Sequence, residues 1–536
     1  MAGEEMDTLS RDSGPERGIK RKSTEDGLLE KGTGKSPTLM DRAVSLSTPV
    51  ECFSASNDSP SKSKASRGPR DDHYYKTLYT EELDFRVLGQ HDPEFEAVLE
   101  RGSHLDFNKP NSVMQLTKTL LKRDFDLTVD LPMDRLCPPI PNRHNYILWL
   151  KDLLDSSSPP YINAGELIPT RRVTGLDVGT GASLIYPLLG CAQRPSWAFI
   201  ATDVDTKSLS YARKNVELNN MQSRIRVVSR TITDCLFPLD ELGLESIDFT
   251  MVNPPFYASE AELTDLAKQK LRPPNSACTG APIEMVCAGG EIGFIQRMID
   301  ESLVLRERVQ WYTCMLGKQS SLEVLVSILK NHGVANYAVT AFVQGKKTRR
   351  WAIGWSFGHK RPSLSASRGC EPSAGKKILP DPTEMTVFTG SNLQAKPVLL
   401  GQAICDAMEG LNLRSWSWST QLFQGIGFSS GNVWSRAYRR KRARERGNLR
   451  SAKGNTAEGS SPFHSKSSSQ QEEQCTFGFA LTIQVPEDTE SENHIALVAR
   501  WLQGGEYAVF ESFTGFLRKA ILPAIQEQLS TISNQP

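Results

Sequence analysis

The sequence predicts an α/β fold whose centre is a doubly wound, mainly parallel sheet between residues 173 and 355. Short apolar runs alternate with segments of helical periodicity along this stretch. A glycine-rich turn, GTGAS, directly follows the first of these runs, and a tight basic turn joins the last two. Alternation of this kind is typical of βαβ units, so we expect helices to cover both faces of the sheet.

The chain begins with a segment of different composition. Residues 1–70 are rich in Ser, Lys, Gly and Pro and contain one aromatic residue, Phe53. Such a stretch buries too little apolar surface to offset the entropy of ordering, so a disordered tail is predicted over residues 1–73. Within it, Lys20-Arg21-Lys22 is either a solvated charge cluster or a nuclear-import element.

Composition limits the class of protein. The 536 residues carry 63 basic and 62 acidic side chains, a net charge of +1, which excludes a wholly basic nucleic-acid coat but not local basic patches. There is no apolar run of membrane-spanning length and no apolar N-terminal segment, so neither a span nor a secretory signal is expected. The ten cysteines are scattered without a CxxC pair, which favours a reducing compartment and no bound metal.

Two regions precede and form the predicted sheet. Over residues 74–170, apolar side chains recur at helical spacing in SVMQLTKTLLKRDF and NRHNYILWLKDLL, which indicates a small helical module. In the sheet region we predict strands at 173–179, 197–205, 225–229, 247–252 and 309–316, helices at 182–190, 206–220, 289–303 and 321–333, and an edge hairpin formed by NYAVTAFVQG and RRWAIGWSFG.

A second folded unit is predicted after a Ser/Pro/Gly-rich linker at 359–395. Residues 396–528 read as a helix, four strands (WSWSTQLFQ, NVWSRAYRR, FGFALTIQV and IALVARWLQG) and a closing helix, with a disordered insertion at 446–474. This order of elements resembles a kinase-associated-1-like domain, an α+β fold that implies RNA binding. Trp416, Trp418 and Trp434 are expected to lie in its core.

The glycine-rich turn has the pattern DxGxGxS from Asp177 to Ser183. Such a turn lets a ligand approach the backbone at a helix start. Leu184 stands where a dinucleotide fingerprint has its third glycine, which favours a nucleoside ligand without phosphates. Asp203 ends the next strand and is predicted to accept hydrogen bonds from ribose hydroxyls, whereas Asp205 is predicted to cap the following helix.

The sequence Asn253-Pro254-Pro255-Phe256 ends the fourth strand and is the most specific motif. Two prolines fix the backbone there. The Asn253 side-chain oxygen and the Pro254 carbonyl could accept the two N–H bonds of a planar amino group, which would localise its nitrogen lone pair for methylation. Phe256 offers a ring on which an unpaired base can stack. Catalysis of this kind depends mainly on alignment.

These motifs resemble those of S-adenosylmethionine-dependent amino-methyltransferases. The segments GLDVGTGASLIYPLLG, ATDVD, VNPPFY, WYTCMLGK and FVQGKKTRRWAIGWSF resemble the methyltransferase-like protein 16 family. That family includes bacterial ribosomal-RNA adenine-N6 methyltransferases and eukaryotic enzymes that modify U6 small nuclear RNA. The resemblance covers about residues 74–358 and implies a class I Rossmann-like methyltransferase fold.

The resemblance also implies roles for individual residues. Asp203 stands where the family usually has glutamate, Arg230 where it has lysine, and Asn108 departs from a family lysine in the RNA-contacting segment. Asn253, Pro254, Pro255 and Phe256 match the catalytic tetrapeptide, and the implied cofactor contacts are Arg143, Gly179, Ser183, Asp203, Thr231 and Asn253.

Basic clusters indicate an RNA-binding surface. Four basic residues crowd the hairpin turn and six, with one acid, lie in RRKRARER at 439–446, which is either an RNA contact or an import signal. Lys118, Lys122 and Arg123 share a predicted helix. The loop at 258–285 is expected to close over RNA. The predicted RNA contacts are Arg230, Lys346, Lys347, Arg349, Arg350, Arg439, Arg440, Lys441 and Arg442.

The sequence therefore predicts a nuclear RNA adenine-N6 methyltransferase that uses S-adenosylmethionine, acts on structured RNA such as U6 small nuclear RNA and needs no metal. Two alternatives share some of its features. A protein glutamine-N5 methyltransferase uses the same Asn-Pro-Pro-aromatic logic, and a non-catalytic RNA-binding scaffold could keep the fold without the reaction.

Overall fold

The computed structural model describes residues 70–100, 104–158, 172–262, 280–344, 348–370, 377–391, 397–453, 476–485 and 494–533. All of these belong to one compact unit, Gly68–Pro536. The predicted tail up to residue 69, including Lys20-Arg21-Lys22, and residues 454–474 of the predicted insertion lie outside the described residues. Within the described part of the chain, no helix has the length and apolar character needed to cross a bilayer.

The N-terminal helical module begins earlier than the predicted tail boundary at residue 73. The Asp71 carboxylate caps the first helix by accepting the Tyr74 N–H at 2.8 Å, and Asp72 pairs with the buried Lys151 at 2.7 Å. The elements of the module are α1 (Asp72–Thr77), α2 (Phe85–His91), α3 (Pro93–Glu96), β1 (Leu99–Glu100), β2 (His104–Leu105), α4 (Pro110–Leu120) with a π turn (Leu121–Phe125), and α5 (Ile140–Ser157).

The central sheet has eight strands, mostly parallel, as predicted. Its order is β10-β8-β9-β7-β6-β3-β4-β5, and only the β8–β9 hairpin and its contact with β7 are antiparallel. The elements are β3 (Val173–Val178), α6 (Ile185–Gln193), β4 (Trp197–Asp203), α7 (Thr206–Leu218), β5 (Ile225–Ser229), β6 (Ile247–Val252), α8 (Pro282–Met285), α9 (Gly290–Leu305), β7 (Val309–Leu316), α10 (Gln319–Asn331), β8 (Tyr337–Gln344), β9 (Thr348–Trp355), α11 (Leu364–Ser367) and β10 (Arg368–Gly369).

Both faces of this sheet are buried, and β7 shows how. Trp311 and Met315 point into one apolar cluster, whereas Tyr312, Cys314 and Leu316 point into the other, as the two-residue period of a strand requires. The first cluster is continuous with the N-terminal module, where the Tyr146 hydroxyl of α5 meets the Thr313 hydroxyl at 2.8 Å. The module is thus built onto the sheet.

The C-terminal domain is a five-stranded antiparallel sheet in the order β11-β15-β14-β13-β12. Phe479 of the sheet stacks closely on Phe513 of the last helix, with ring centroids 4.2 Å apart. Trp434 is buried in this core, and Trp416 and Trp418 pack half-buried against it, as predicted. The elements are β11 (Glu384–Ser391), α12 (Pro397–Glu409), β12 (Ser415–Ser419), β13 (Gln424–Ser429), α13 (Arg436–Lys453), β14 (Phe477–Gln484), β15 (His494–Gln503) and α14 (Tyr507–Ser533).

Four sequence predictions for this region differ from the structure. The predicted strand WSWSTQLFQ ends at Ser419 in β12, and its last residue, Gln424, begins β13. The supposed linker at 359–395 contains α11, β10 and the whole edge strand β11, which pairs with β15. The segment NVWSRAYRR is not a strand, because its second half begins helix α13. That helix continues to Lys453, so the first eight residues of the predicted disordered insertion at 446–474 are helical.

The two sheets are joined by a packed junction at Arg361. This residue is 6% exposed, and its guanidinium lies over the Trp501 ring at 4.1 Å. It donates to the carbonyls of Gly504 at 2.9 Å, Gly505 at 3.0 Å and Ala335 at 3.3 Å. A cation held by three carbonyls and an aromatic face fixes the start of the supposed linker against the C-terminal sheet.

Candidate functional site

The site lies where the strand order reverses, between β3 and β6. In an open parallel sheet, the loops on either side of such a point diverge and leave a crevice at the carboxyl ends of the strands. The glycine loop follows β3, Asp203 ends β4 and Asn253 follows β6. The topology therefore brings together three motifs that are separated by up to about seventy residues in the sequence.

The glycine loop is held open by its own backbone. Gly179 and Gly181 have φ angles of 71° and 66°, which glycine adopts without strain. A Cβ atom at Gly179 would meet no atom within 4 Å, so glycine is needed there for its conformation and not for space. The predicted cofactor residue Ser183 lies buried at the end of the loop.

Leu184 directly follows the glycine loop, and its large side chain does not block the loop. Its φ is 53°, a left-handed conformation that is uncommon for a residue with a side chain, and its side chain is fully buried. Helix α6 consequently starts at Ile185, three residues later than predicted. The bulky side chain points into the core, so it leaves the loop accessible.

Asp203 and Asp205 lie two residues apart and have different hydrogen-bond partners. Asp203 accepts the Gly181 N–H at 2.8 Å through one oxygen and the Asp205 N–H at 2.9 Å through the other. Burial raises its pKa, while these backbone donors oppose the rise. Asp205 caps α7 through the Ser208 N–H, and its hydrogen bond from Arg135 lowers its pKa to about 2. The prediction of Asp205 as a helix cap is confirmed.

Asp177 is a buried acid that begins the DxGxGxS motif but is not among the site residues predicted from the sequence. It is fully buried, and neither carboxylate oxygen has a hydrogen-bond partner of good geometry among the described residues, although the Thr180 hydroxyl, which has no such partner either, lies close to it. Burial raises its pKa to about 7, while the nearby Thr180 side chain and the Arg143 charge lower it. Buried polar atoms almost always have hydrogen-bond partners, and a bound ligand that supplies a donor would account for this exception.

Asn253 is oriented by Arg143, from helix α5. The Arg143 guanidinium is 7% exposed and donates to the Asn253 Oδ1 at 3.1 Å and to the Tyr186 hydroxyl at 2.9 Å. A guanidinium only donates, so the Asn253 atom that faces it must be the amide oxygen. Arg143 thus lies beside the predicted catalytic tetrapeptide, a contact that the sequence did not indicate.

Phe256 is held from two sides. The Arg350 guanidinium lies 5.7 Å from the centre of its ring. Gly317 also lies close to the ring, since a Cβ atom on this glycine would stand 3.1 Å from a ring carbon of Phe256. The Gly317 N–H donates to the buried Glu291 carboxylate at 2.6 Å. Burial and the charge of Arg143 lower the pKa of Arg350. Two guanidinium groups therefore flank the tetrapeptide.

The remaining predicted RNA contacts fall into three groups. Lys346 and Lys347 lie outside the described residues, and Arg349 is exposed on β9. Arg230 is instead engaged within the protein, since it pairs with Glu241 at 2.5 Å and its side chain is 12% exposed, while the adjacent predicted cofactor residue Thr231 is exposed. The basic residues of the C-terminal domain lie along α13, mostly exposed: Arg439, Arg440, Lys441 and Arg442.

The basic residues of the N-terminal module are similarly mixed. Lys122 is exposed, but Arg123 pairs with Asp124 at 2.6 Å. Lys109, next to the departing position Asn108, pairs with Glu100 at 2.7 Å. These intramolecular partners reduce the positive charge that this face can offer to phosphates.

Comparison with known proteins identifies the family. A family model described as "RNA methyltransferase" matches residues 69–359, more than half of the chain. The chain belongs to this RNA methyltransferase family. The matched range includes the glycine loop, Asp203 and the predicted catalytic tetrapeptide, and it ends before β11, so the C-terminal domain lies outside it.

Two curated relatives show how far this RNA methyltransferase similarity extends. The U6 small nuclear RNA (adenine-(43)-N(6))-methyltransferase of Schizosaccharomyces pombe is 42% identical over 276 residues, which are 52% of this chain and 68% of the relative. The RNA N(6)-adenosine-methyltransferase mettl16 of Danio rerio is 43% identical over 282 residues, 51% of this chain and 56% of the relative. The chain thus spans between half and about two thirds of these relatives.

A solved structure is also similar to this RNA methyltransferase. A crystal structure of the hMettl16 catalytic domain in complex with the MAT2A 3′UTR hairpin 1 shares 39% sequence identity and a TM-score of 0.46. The alignment covers 52% of this chain and 94% of that chain.

RNA methyltransferases of this fold use S-adenosylmethionine as the methyl donor, and the site fits such a ligand. The unpartnered Asp177 carboxyl, the open backbone at Gly179 and the acceptor Asp203 all face the same glycine loop or adjoin it. The cofactor is a nucleoside with a sulfonium and an amino-acid group, so it offers hydroxyl and ammonium donors to these acceptors. Arg143, Gly179, Ser183, Asp203, Thr231 and Asn253 remain the predicted contacts.

Proposed function

We propose that the protein is an S-adenosylmethionine-dependent RNA adenine-N6 methyltransferase whose substrate is an unpaired adenine of U6 small nuclear RNA. The observation that carries this proposal is the tetrapeptide Asn253–Phe256 at the carboxyl end of β6, with the Asn253 amide oriented by Arg143 at 3.1 Å. Membership of the RNA methyltransferase family supports RNA over protein as the substrate and counts against an idle scaffold.

Asn253 and Pro254 are the acceptors for the target amino group. An amide oxygen has two lone pairs, so Oδ1 can accept from Arg143 and still accept one adenine N–H. The Pro254 carbonyl accepts the other N–H. With both N–H bonds directed, the nitrogen lone pair is aimed at the methyl group, which bound S-adenosylmethionine supplies on its sulfonium. As the N–C bond forms, the bond from the methyl carbon to sulfur would break and leave a neutral thioether, and one amino proton would pass to water.

Phe256 and Arg350 position the flipped nucleotide. An adenine taken out of its stack loses base–base contacts, and stacking on an aromatic side chain restores about 1–3 kcal/mol of that loss. The Arg350 guanidinium, 5.7 Å from the centre of the ring, places a positive charge beside the proposed position of the nucleotide. Gly317 packs close to the Phe256 ring and is held by its hydrogen bond to Glu291, so these two residues restrict rotation of the ring.

The proposed U6 substrate and nuclear location come from the relatives. The Schizosaccharomyces pombe relative is named for methylation of U6 small nuclear RNA, and relatives in Drosophila melanogaster and Caenorhabditis elegans carry the same name at 38% and 34% identity. An enzyme that acts on a small nuclear RNA works in the nucleus. The exposed basic helix α13 supplies a surface for RNA phosphates or for an import receptor.

The test is methyl transfer by an Asn253→Ala variant. Labelled methyl incorporation into a U6-like hairpin should fall at least a hundredfold, because alignment can account for about 7–11 kcal/mol of such a reaction. Hairpin affinity should change little. Asn331→Ala, an exposed asparagine at the end of α10, is the matched control and should retain full activity.

Two results would contradict the proposal. An Asn253→Ala enzyme that methylates the hairpin at nearly the wild-type rate would remove the tetrapeptide from catalysis. Label that enters protein glutamine and not RNA, when wild-type enzyme is given total RNA and total protein, would favour the glutamine-N5 alternative.

A further inference from the structure

Glu284 is an acidic residue close to the cofactor loop that the motifs do not include. It lies in the short helix α8, and the backbone around it is tied to the catalytic motif. The Tyr257 N–H donates to the Met285 carbonyl at 3.1 Å, and the Cys287 N–H donates to the Tyr257 carbonyl at 3.0 Å. The position of Glu284 is therefore set by the residue that directly follows Phe256.

The two carboxylate oxygens of Glu284 have different surroundings. Oε2 accepts the Leu136 N–H at 3.0 Å and the Ala281 N–H at 2.8 Å, so it links the N-terminal module to this segment. Oε1 has no hydrogen-bond partner among the described residues. It lies 3.8 Å from the point that a Cβ atom of Gly181 would occupy, which directs it at the glycine loop.

Glu284 and Asp203 thus approach one loop from opposite segments. Burial raises the pKa of Glu284, and the Asp203 charge raises it further, while the Leu136 and Ala281 N–H groups and Arg135 favour the charged form. Two carboxylates that face one loop repel each other in the empty protein. A ligand that donates a hydrogen bond to each would offset that cost. Asp177, which is fully buried and close enough to Asp203 for its pKa to be raised by that charge, is a separate observation that supports a ligand at this loop.

The short side chain of Asp203 and its existing hydrogen bonds indicate which ligand donor could bind Glu284. Each Asp203 oxygen already accepts a backbone N–H, and its side chain is one methylene shorter than a glutamate. A ribose offers two neighbouring hydroxyl donors, and a second acceptor across the loop can take one of them. We propose that Glu284 is a second carboxylate of the ribose site, where Asp203 and Glu284 each accept a hydrogen bond from one ribose hydroxyl. This inference rests on the proposed cofactor.

A comparison of the affinities of three ligands for three proteins tests this inference without an activity assay. Calorimetry gives the affinities of S-adenosylhomocysteine and its 2′-deoxy and 3′-deoxy analogues for the full-length wild type, Glu284→Ala and Glu284→Gln. Removing the hydroxyl that meets Glu284 should weaken wild-type binding about tenfold, as expected for a hydrogen bond to a charged group. In both variants the parent ligand should bind about tenfold more weakly, and the penalty for that one analogue should disappear.

Glu284→Gln separates a ribose contact from a structural link. Its single amide oxygen can still accept the Leu136 and Ala281 N–H groups, which leaves the NH2 group facing the loop, where it cannot accept. Its melting temperature without ligand should therefore match that of the wild type. The exposed Glu323→Gln on α10 is the control for loss of charge alone.

The outcomes are distinguishable. If the wild type binds and both variants keep the full penalty for each deoxy analogue, Glu284 does not contact the ribose and the inference is overturned. The same follows if the wild type shows no penalty for either analogue. If the wild type binds none of the three compounds, the proposed cofactor itself is contradicted.

Discussion

Replacing Asp177 by asparagine should stabilise the empty protein at neutral pH and weaken cofactor binding. Asp177 is fully buried without a hydrogen-bond partner of good geometry among the described residues, and burial raises its pKa from 3.8 to about 7. One pKa unit corresponds to about 1.4 kcal/mol. The difference between 3.8 and about 7 thus amounts to roughly 4 kcal/mol, an upper limit on what ionisation of this group costs the fold.

The sign of the pH dependence follows from the direction of the shift. The folded protein holds the Asp177 proton more tightly than the unfolded chain does, so this group makes the fold less stable as pH rises from about 4 to about 7. Below that window both states are protonated, and above it both are ionised. Asp177→Asn carries no ionisable group, so its stability relative to wild type should grow through the window and level off above about pH 7.

Thermal unfolding followed by circular dichroism at several pH values between 4.5 and 8.5 measures this difference. A domain of this size shifts its midpoint by about 2 °C per kcal/mol, so the variant should unfold up to about 8 °C above wild type at pH 8. Added S-adenosylmethionine should stabilise the wild type more than the variant. Glu323→Gln, on the exposed face of α10, should show neither effect. A difference between Asp177→Asn and wild type that stays constant with pH would refute the reasoning.

Two further predictions concern the two buried arginines. Arg143→Lys keeps the positive charge, but a lysine cannot donate to Asn253 and Tyr186 at the same time in the geometry of a guanidinium. We expect kcat to fall at least tenfold while RNA affinity, measured by fluorescence anisotropy, is unchanged. An unchanged kcat would mean that Asn253 does not need the hydrogen bond from Arg143. Arg361→Ala leaves three carbonyl groups at the domain junction without their hydrogen-bond donor. Limited proteolysis should therefore cut the variant between the two sheets, where the wild type resists cleavage. Equal resistance of the two proteins would show that the junction does not depend on this side chain.

The sheet was predictable because its strands are buried on both faces. Val309–Leu316 and Ile247–Val252 match their predicted bounds, since continuous apolar runs of this length have few other places in a fold. The edge strand Glu384–Ser391 was missed, because an edge strand is less apolar and the prolines nearby suggested a linker. Helix α13 was also missed. The apolar residues before it suggested a strand, although Arg, Lys, Ala and Glu are all good helix formers.

The site was predictable only where the sheet topology determines it. Asp203 and Asn253 end neighbouring regions of one sheet, and the carboxyl ends of its parallel strands must meet at one edge. Glu284 and Glu291 carry no comparable signal, because their positions depend on how loops from distant parts of the chain pack. The same limit explains Arg230, whose partner Glu241 lies eleven residues away and could not be assigned from charge pattern alone.

The buried charges at this site are better understood through function than through stability. Arg143 makes no ion pair among the described residues, and Asp177 has no hydrogen-bond partner of good geometry there. The Arg143 charge acts on Asp177 only from a distance, where it lowers the pKa of the carboxyl. A fold selected for stability alone would pair such groups directly or replace them with apolar residues. A crevice that keeps one buried cation and one buried acid apart is complementary to a ligand that carries both an ammonium and a carboxylate. The amino-acid end of S-adenosylmethionine has these two groups, so the cost of both charges to the empty protein is the expected consequence of a preorganised cofactor site.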